Sequence, residues 1–146
     1  MAEEKKVLLE ARGLTKEFRV KGGTLSAVSG VDLTVYEGET LAVVGESGCG
    51  KSTLGQTLIG LQEATAGEVY FKGEKISGLK HKEFKAYRRR MQLIFQDPFA
   101  SMNPRMTVGQ VLEEPLIVNK VGANKQEREA MVAKLLEQVG ILREYA

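Results

Sequence analysis

Hydrophobic and polar positions change rhythm several times along the chain. Residues 6–20, KVLLEARGLTKEFRV, interleave β-branched, aromatic and apolar side chains with charges and predict two short strands broken near Gly13. VKGGTLS reads as a turn-rich connection, followed by a strand over 31–36, a turn at Glu37 and Gly38, and a short buried strand, LAVV, over 41–44. From Lys51 to Leu61 the rhythm becomes helical, with Leu54, Leu58 and Leu61 on one stripe. GEVYFKGEKI predicts a hairpin turning near Lys72 and Gly73, LKHKEFKAYRRR a basic helix, and MQLIF a second short buried strand. After QDPFASMNPRMT the pattern is helical. Its clearest helix spans 125–139, with Asn124 as N-cap, Glu127 three residues on and Gly140 just past the end. Met131, Val132, Leu135, Leu136 and Val139 make its apolar face. The chain is thus mixed α/β to about residue 96 and helical beyond.

Length and composition narrow the class. A chain of 146 residues suffices for one ordinary domain or part of a larger one. With 42% hydrophobic and 27% charged residues the composition is globular rather than disordered. A net charge of +2 gives no electrostatic argument for nucleic acid. KHKEFKAYRRR lacks interleaved aromatic platforms, so a solvated basic helix is the favoured reading. The single cysteine, Cys49, allows no internal disulfide, which fits a reducing compartment. The charged start MAEEKK leads into no long apolar run, and no segment reaches a membrane-spanning length. The expectation is a soluble, cytoplasmic chain that a partner brings to any membrane it serves.

The chemistry concentrates in GESGCGKST. Gly45, Glu46, Ser47, Gly48, Cys49, Gly50, Lys51 and Ser52 satisfy G-x-x-x-x-G-K-[ST], between a predicted strand and a predicted helix. Glycines reach backbone angles closed to other residues, so successive N–H groups can turn inward as an anion-binding nest. The helix that follows aims its positive end at the same spot. Lys51 is expected at the β and γ phosphates of a nucleotide, the Ser52 hydroxyl on Mg2+, and Thr53 on another phosphate oxygen. Cys49 reads as a small filler rather than a catalytic thiol, because no histidine lies nearby in sequence. Alkylation of Cys49, blocked by ATP, is expected. His81 is expected to be exposed among lysines, with no metal site around it.

Phosphoryl chemistry also needs a carboxylate for Mg2+. Only Asp32 and Asp97 are aspartates. Asp32 lies in a half-polar strand and is disfavoured. Asp97 closes LIFQ, yet Gln96 interrupts the apolar run and Pro98 forces a loop. Here GESGCGKST together with MQLIFQDPFASMNPRMTVGQVLEEPL resembles the ATP-binding subunits of ABC transporters. More narrowly it resembles the oligopeptide and dipeptide importer group, which includes nickel-uptake members. The resemblance runs from LTKEF to LLEQVGI, and FQDPFASMNPR is its specific part.

That resemblance implies a P-loop NTPase (RecA-like) core with an antiparallel β subdomain over residues 1–96. The Q-loop and the start of an ABC-type α-helical subdomain follow over 97–146. It implies ATP and Mg2+ as cofactors, Gln96 as the Q-loop glutamine sensing Mg2+ and the γ-phosphate, and Asp97 as a mere neighbour. Phe18 matches the family's adenine-stacking aromatic; by residue pattern alone it is a strand side chain in a core. The implied partners are a second ATP-binding subunit arranged head to tail, transmembrane permease subunits and, indirectly, an extracytoplasmic solute-binding protein. Nucleic acid is not among them. The implied place is the inner face of the cell membrane, reached through the permease.

The family's LSGGQ-type signature loop, acidic strand end with catalytic glutamate, and switch histidine are not among these residues. The expectation is therefore a fragment of an importer ATPase for peptides or similar small solutes, which grips MgATP with negligible hydrolysis. Its missing strands would leave apolar surface uncovered, so marginal stability or association is expected. A second reading is a non-hydrolysing nucleotide-binding module that truly ends at Ala146. A third, weaker one is a small P-loop kinase using Asp97.

Overall fold

The computed structural model describes residues 5–97 and 102–142. The chain divides into two units, Met1–Leu93 and Ile94–Ala146.

The first unit is built on a four-stranded antiparallel sheet in the order β2-β1-β3-β4. The strands are β1 (Val7–Val20), β2 (Gly23–Tyr36), β3 (Ala66–Phe71) and β4 (Glu74–Lys75). The expected break at Gly13 is instead a bulge inside one 14-residue strand. Alternation from Ala11 would send residue 13 into the core. The extra residue lets Ala11 and Leu14 both be buried while Arg12 and Gly13 stay exposed. Gly13 takes φ 56, and its N–H donates to Asp32 Oδ1 at 2.6 Å, which gives Asp32 a structural task. The turn expected over VKGGTLS shrinks to Lys21 and Gly22, because Gly23 already pairs with Val20. The β3–β4 turn falls at Lys72 and Gly73, both at positive φ, as a two-residue hairpin requires.

Two helices complete this unit. The helix α1 (Lys51–Leu58) buries Leu54 and Thr57. It stops three residues short of the expected Leu61. Gly60, at φ 68, donates its N–H to Thr57 O, and Leu61 N–H reaches Gln56 O at 2.9 Å. That pair of bonds closes the helix in the glycine-dependent way and turns Leu61 out to solvent. The helix α2 (His81–Arg88) sets Phe84 into the core beside Tyr87, which meets Phe71 edge-on at 6.3 Å. The core joins Ala11, Leu14, Val28, Leu54, Val69, Phe71, Ile76 and Phe84.

Two expected buried strands are not formed. Residues 41–44 have no ladder partner among the described residues, and Val44 is 91% exposed. The same holds for MQLIF, where Ile94 is 90% exposed. An apolar run becomes a buried strand only when neighbours take up its N–H and C=O groups.

The second unit holds α3 (Val108–Val118) and α4 (Lys125–Gln138). Thr107 Oγ1 caps α3 by accepting from Gln110 N–H, while Gln110 answers to Thr107 N–H. Asn124 Oδ1 accepts from Glu127 N–H at 2.9 Å, as expected, whereas Glu127 reaches one residue further back, to Ala123 N–H. Gly140, at φ 73, ends α4 through Gly140 N–H to Glu137 O and Ile141 N–H to Leu136 O. Val132 and Leu136 are its buried residues, and Arg128 pairs with Glu113 of α3 at 3.0 Å. The loop expected at Pro98 and the stretch through Ser101 lie outside the described residues, as do residues 143–146.

Candidate functional site

Residues 45–50 form a tight loop that delivers the chain into α1. Gly50 is the N-cap residue at φ 94, and Gly48 has φ 82; both lie in the left-handed region that glycine enters without strain. Cys49 N–H returns to Glu46 O at 3.4 Å, and Leu54 N–H to Gly50 O at 2.8 Å. No side chain caps the first turn of α1, and that turn carries no acidic residue. Its N–H groups and the positive end of the helix therefore face whatever lies over the loop.

Gly50 is also the point where the loop touches the sheet. A Cβ built on it would stand 2.0 Å from the carbonyl oxygen of Ala27 in β2. Only a residue without a side chain fits there. At Gly45 an added Cβ would stand 2.7 Å from Cys49 Sγ, so the loop is closely folded on itself. At Gly48 the space is open.

Lys51, Ser52 and Thr53 occupy the first turn of α1. The Lys51 ammonium donates to Gly45 O at 2.7 Å and Glu46 O at 2.5 Å, and lies 3.5 Å from Cys49 Sγ. It thus bridges the mouth of the loop as a positive charge bound only by neutral acceptors. An anionic oxygen is a stronger acceptor and would take these donors over. Ser52 is exposed, with Lys51 and Thr53 half-buried. Cys49 is exposed rather than a packed filler. Backbone donors, a helix N-terminus, a lysine and two hydroxyls are what a nucleotide phosphate chain and its Mg2+ require, and the residues present fit that group.

Phe18 is half-buried in β1 opposite Leu25 of β2, with Lys16 Nζ 4.9 Å from its ring centre. Leu25 is two residues from Ala27, so Phe18 belongs to the same stretch of ribbon on which Gly50 rests. Ala27 is the one participant that residue patterns did not flag. A motif glycine signals a close approach, but the carbonyl it approaches is 23 residues earlier and is visible only in the fold. Gln96 and Asp97 form an exposed bend at the start of the second unit and are described there alone. His81 is exposed, and its Nε2 lies 2.9 Å from Arg88 Nη1. Among the described residues no cluster of His, Cys, Asp and Glu suits a metal ion by itself.

The family profile described as "ABC transporter" matches residues 28–145. The chain belongs to the ABC transporter family. It is 49% identical over 140 residues to the oligopeptide transport ATP-binding protein OppF of Bacillus subtilis (strain 168), covering 95% of this chain and 46% of that protein. To OppF of Escherichia coli (strain K12) it is 46% identical over 151 residues, covering 97% and 45%. The chain thus spans a little under half the length of these relatives. In three dimensions it is similar to the ATP-binding cassette MJ0796, solved as a dimer in a post-hydrolysis state with ADP and Pi. That match has a TM-score of 0.80 and 28% identity, and covers 95% of this chain and 60% of that one. It is also similar to cbiO1 from Clostridium perfringens, described as part of the ABC transporter complex cbiONQ. There the TM-score is 0.69 and the identity 25%, over 94% of this chain and 52% of that one. These likenesses make the fold that of a P-loop NTPase cassette, of which the described residues here hold an antiparallel sheet and four helices.

Proposed function

We propose that the chain is the nucleotide-gripping part of an ABC-importer ATPase subunit serving the uptake of peptides or similar small solutes. The observation that carries this reading is the loop of residues 45–53, seated on β2 through Gly50 and opening α1. It is supported by the similarity to two oligopeptide transport proteins.

In this reading the loop amides and Lys51 hold the β and γ phosphates, Ser52 ligates Mg2+, and Thr53 steadies a phosphate oxygen. Phe18 stacks on the adenine. Its pairing with Leu25, two residues from Ala27, supports this, because two residues along a strand span roughly 7 Å, within the length of a nucleotide. Gln96, as the Q-loop glutamine, senses the nucleotide state and passes it to a permease subunit. Residues 1–96 then act as the core and 97–146 as the Q-loop and the opening of a helical subdomain. Taken on their own, residues 1–146 hold MgATP and position it rather than turn it over. Within the whole subunit, ATP draws two such chains together head to tail at the inner membrane face. Permease subunits transmit the motion, and an extracytoplasmic binding protein supplies the solute.

The test is a fluorescent-ATP titration. Lys51→Ala should abolish binding, since a charge-assisted contact to each of two phosphates is lost. Phe18→Ala should weaken ATP on the order of tenfold, from about 1–3 kcal/mol of stacking, and leave inorganic triphosphate unchanged. Wild-type affinity in Lys51→Ala would overturn the reading.

A further inference from the structure

The nucleotide site leaves α2 unused, and α2 is where the chain's charge is most unevenly placed. Residues 80–90 contain Lys80, Lys82, Lys85, Arg88, Arg89 and Arg90, against the single carboxylate of Glu83. The whole chain, by contrast, is nearly balanced at +2. Phe84 fixes the orientation of the helix by being 5% exposed, with half-buried Tyr87 next to it. At 100° per residue, Lys82, Lys85 and Arg89 then share the face opposite Phe84, and all three are exposed.

Two neighbouring acids are engaged by other groups. Glu83 accepts from Lys80 N–H at 2.9 Å, and Glu74 accepts from Tyr87 OH at 2.7 Å. The flanking arginines are held against rings: Arg88 lies 5.8 Å from the Phe84 centre and Arg90 5.0 Å from that of Phe71. The cations are therefore set on a helix bolted to the core, not on a loose tail.

We infer that the outer face of α2 is a docking surface for an anionic phospholipid bilayer. A single convex helix face bearing long, flexible cations suits a flat array of negative headgroups. It offers no aromatic platform for single-stranded nucleic acid and no groove to enclose an acidic peptide. Each cation near such a surface contributes electrostatically, and the contributions add. The inference stands independently of the nucleotide reading, because none of these residues belongs to the phosphate loop.

The test is sedimentation of the full chain with vesicles of phosphatidylcholine alone and of equal parts phosphatidylcholine and phosphatidylglycerol, at low and high salt. Binding should require phosphatidylglycerol and fall steeply with salt. The triple change Lys82→Gln, Lys85→Gln, Arg89→Gln should reduce binding on the order of a hundredfold. The control triple Lys21→Gln, Lys120→Gln, Lys134→Gln should leave most of it, and Lys51→Ala should leave it whole. Circular dichroism confirms that each variant folds. Equal losses in the two triples, or equal binding to neutral vesicles, would overturn the inference. So would an RNA oligonucleotide that displaces the chain from vesicles at matched phosphate concentration.

Discussion

Two glycines of one loop separate two physical effects that sequence patterns merge. Gly48 and Gly50 both sit at positive φ, but only Gly50 has backbone directly where a Cβ would go. Gly48→Ala therefore carries only the left-handed strain, about 1–2 kcal/mol. Gly50→Ala carries that strain plus a collision with Ala27 O that backbone must move to relieve. The thermal midpoint should drop clearly further for Gly50→Ala, and fluorescent-ATP binding should be lost in that variant first. Equal losses would mean that φ alone governs both positions. Lys51, between loop carbonyls and the first turn of α1, depends on this seat, since moving Gly50 off β2 moves the lysine with it.

Elements were legible in the sequence wherever a local signal suffices. Asn124, Glu127 and Gly140 bound α4 because caps are satisfied within a few residues. Lys72 and Gly73 turn the β3–β4 hairpin for the same reason. The phosphate loop is local too, and its strand-to-helix placement was readable except that residues 41–44 form no ladder among the described residues. What escaped reading is non-local. A strand is an agreement between neighbours, and neither LAVV nor MQLIF can announce whether its partners are present. The bulge at Gly13 is set by the parity of Ala11 and Leu14 against the core and by Asp32 from the next strand. Gly60 was a readable stop, masked by Leu61 continuing the apolar stripe. It also packs under α2, where an added Cβ would stand 2.4 Å from the Phe84 ring. Gly60→Ala should thus unseat Phe84 as well as strain φ, lowering stability by about 2–3 kcal/mol in urea unfolding. A loss near that of an exposed cap glycine, under about 1 kcal/mol, would show that Phe84 moves aside freely.

At the scale of the molecule, the sheet of the first unit is tied across its strands by exposed ion pairs, and these set its response to pH. Glu68 of β3 is held below the usual carboxylate range by hydrogen bonds from Lys75 of β4 and Tyr70 OH. Glu37, at the end of β2, is lowered by Lys72 in the β3–β4 turn at 2.7 Å, and Glu10 by Arg12 within β1. A carboxylate whose folded pKa lies below its unfolded value stabilises the fold above the unfolded value of 4.5. That contribution disappears as pH falls through the folded pKa. At the alkaline end, Tyr70 is raised by Glu68 and Tyr87 by Glu74, so each stabilises below its ordinary pKa of 10.0 and ceases to as pH rises past the folded one. The urea midpoint should therefore be level across neutral pH, fall below about pH 4.5 and fall again above about pH 10. Exposure and screening keep each pair small, so the acid slope should be shallow and should shrink further in high salt. Glu68→Gln removes the negative charge that Lys75 and Tyr70 share, leaving one neutral amide oxygen as acceptor. It should flatten the acid limb and, by taking the charge away from the Tyr70 hydroxyl, part of the alkaline limb as well. If Glu68→Gln changes neither limb, the cross-strand network contributes nothing beyond the buried core beneath it.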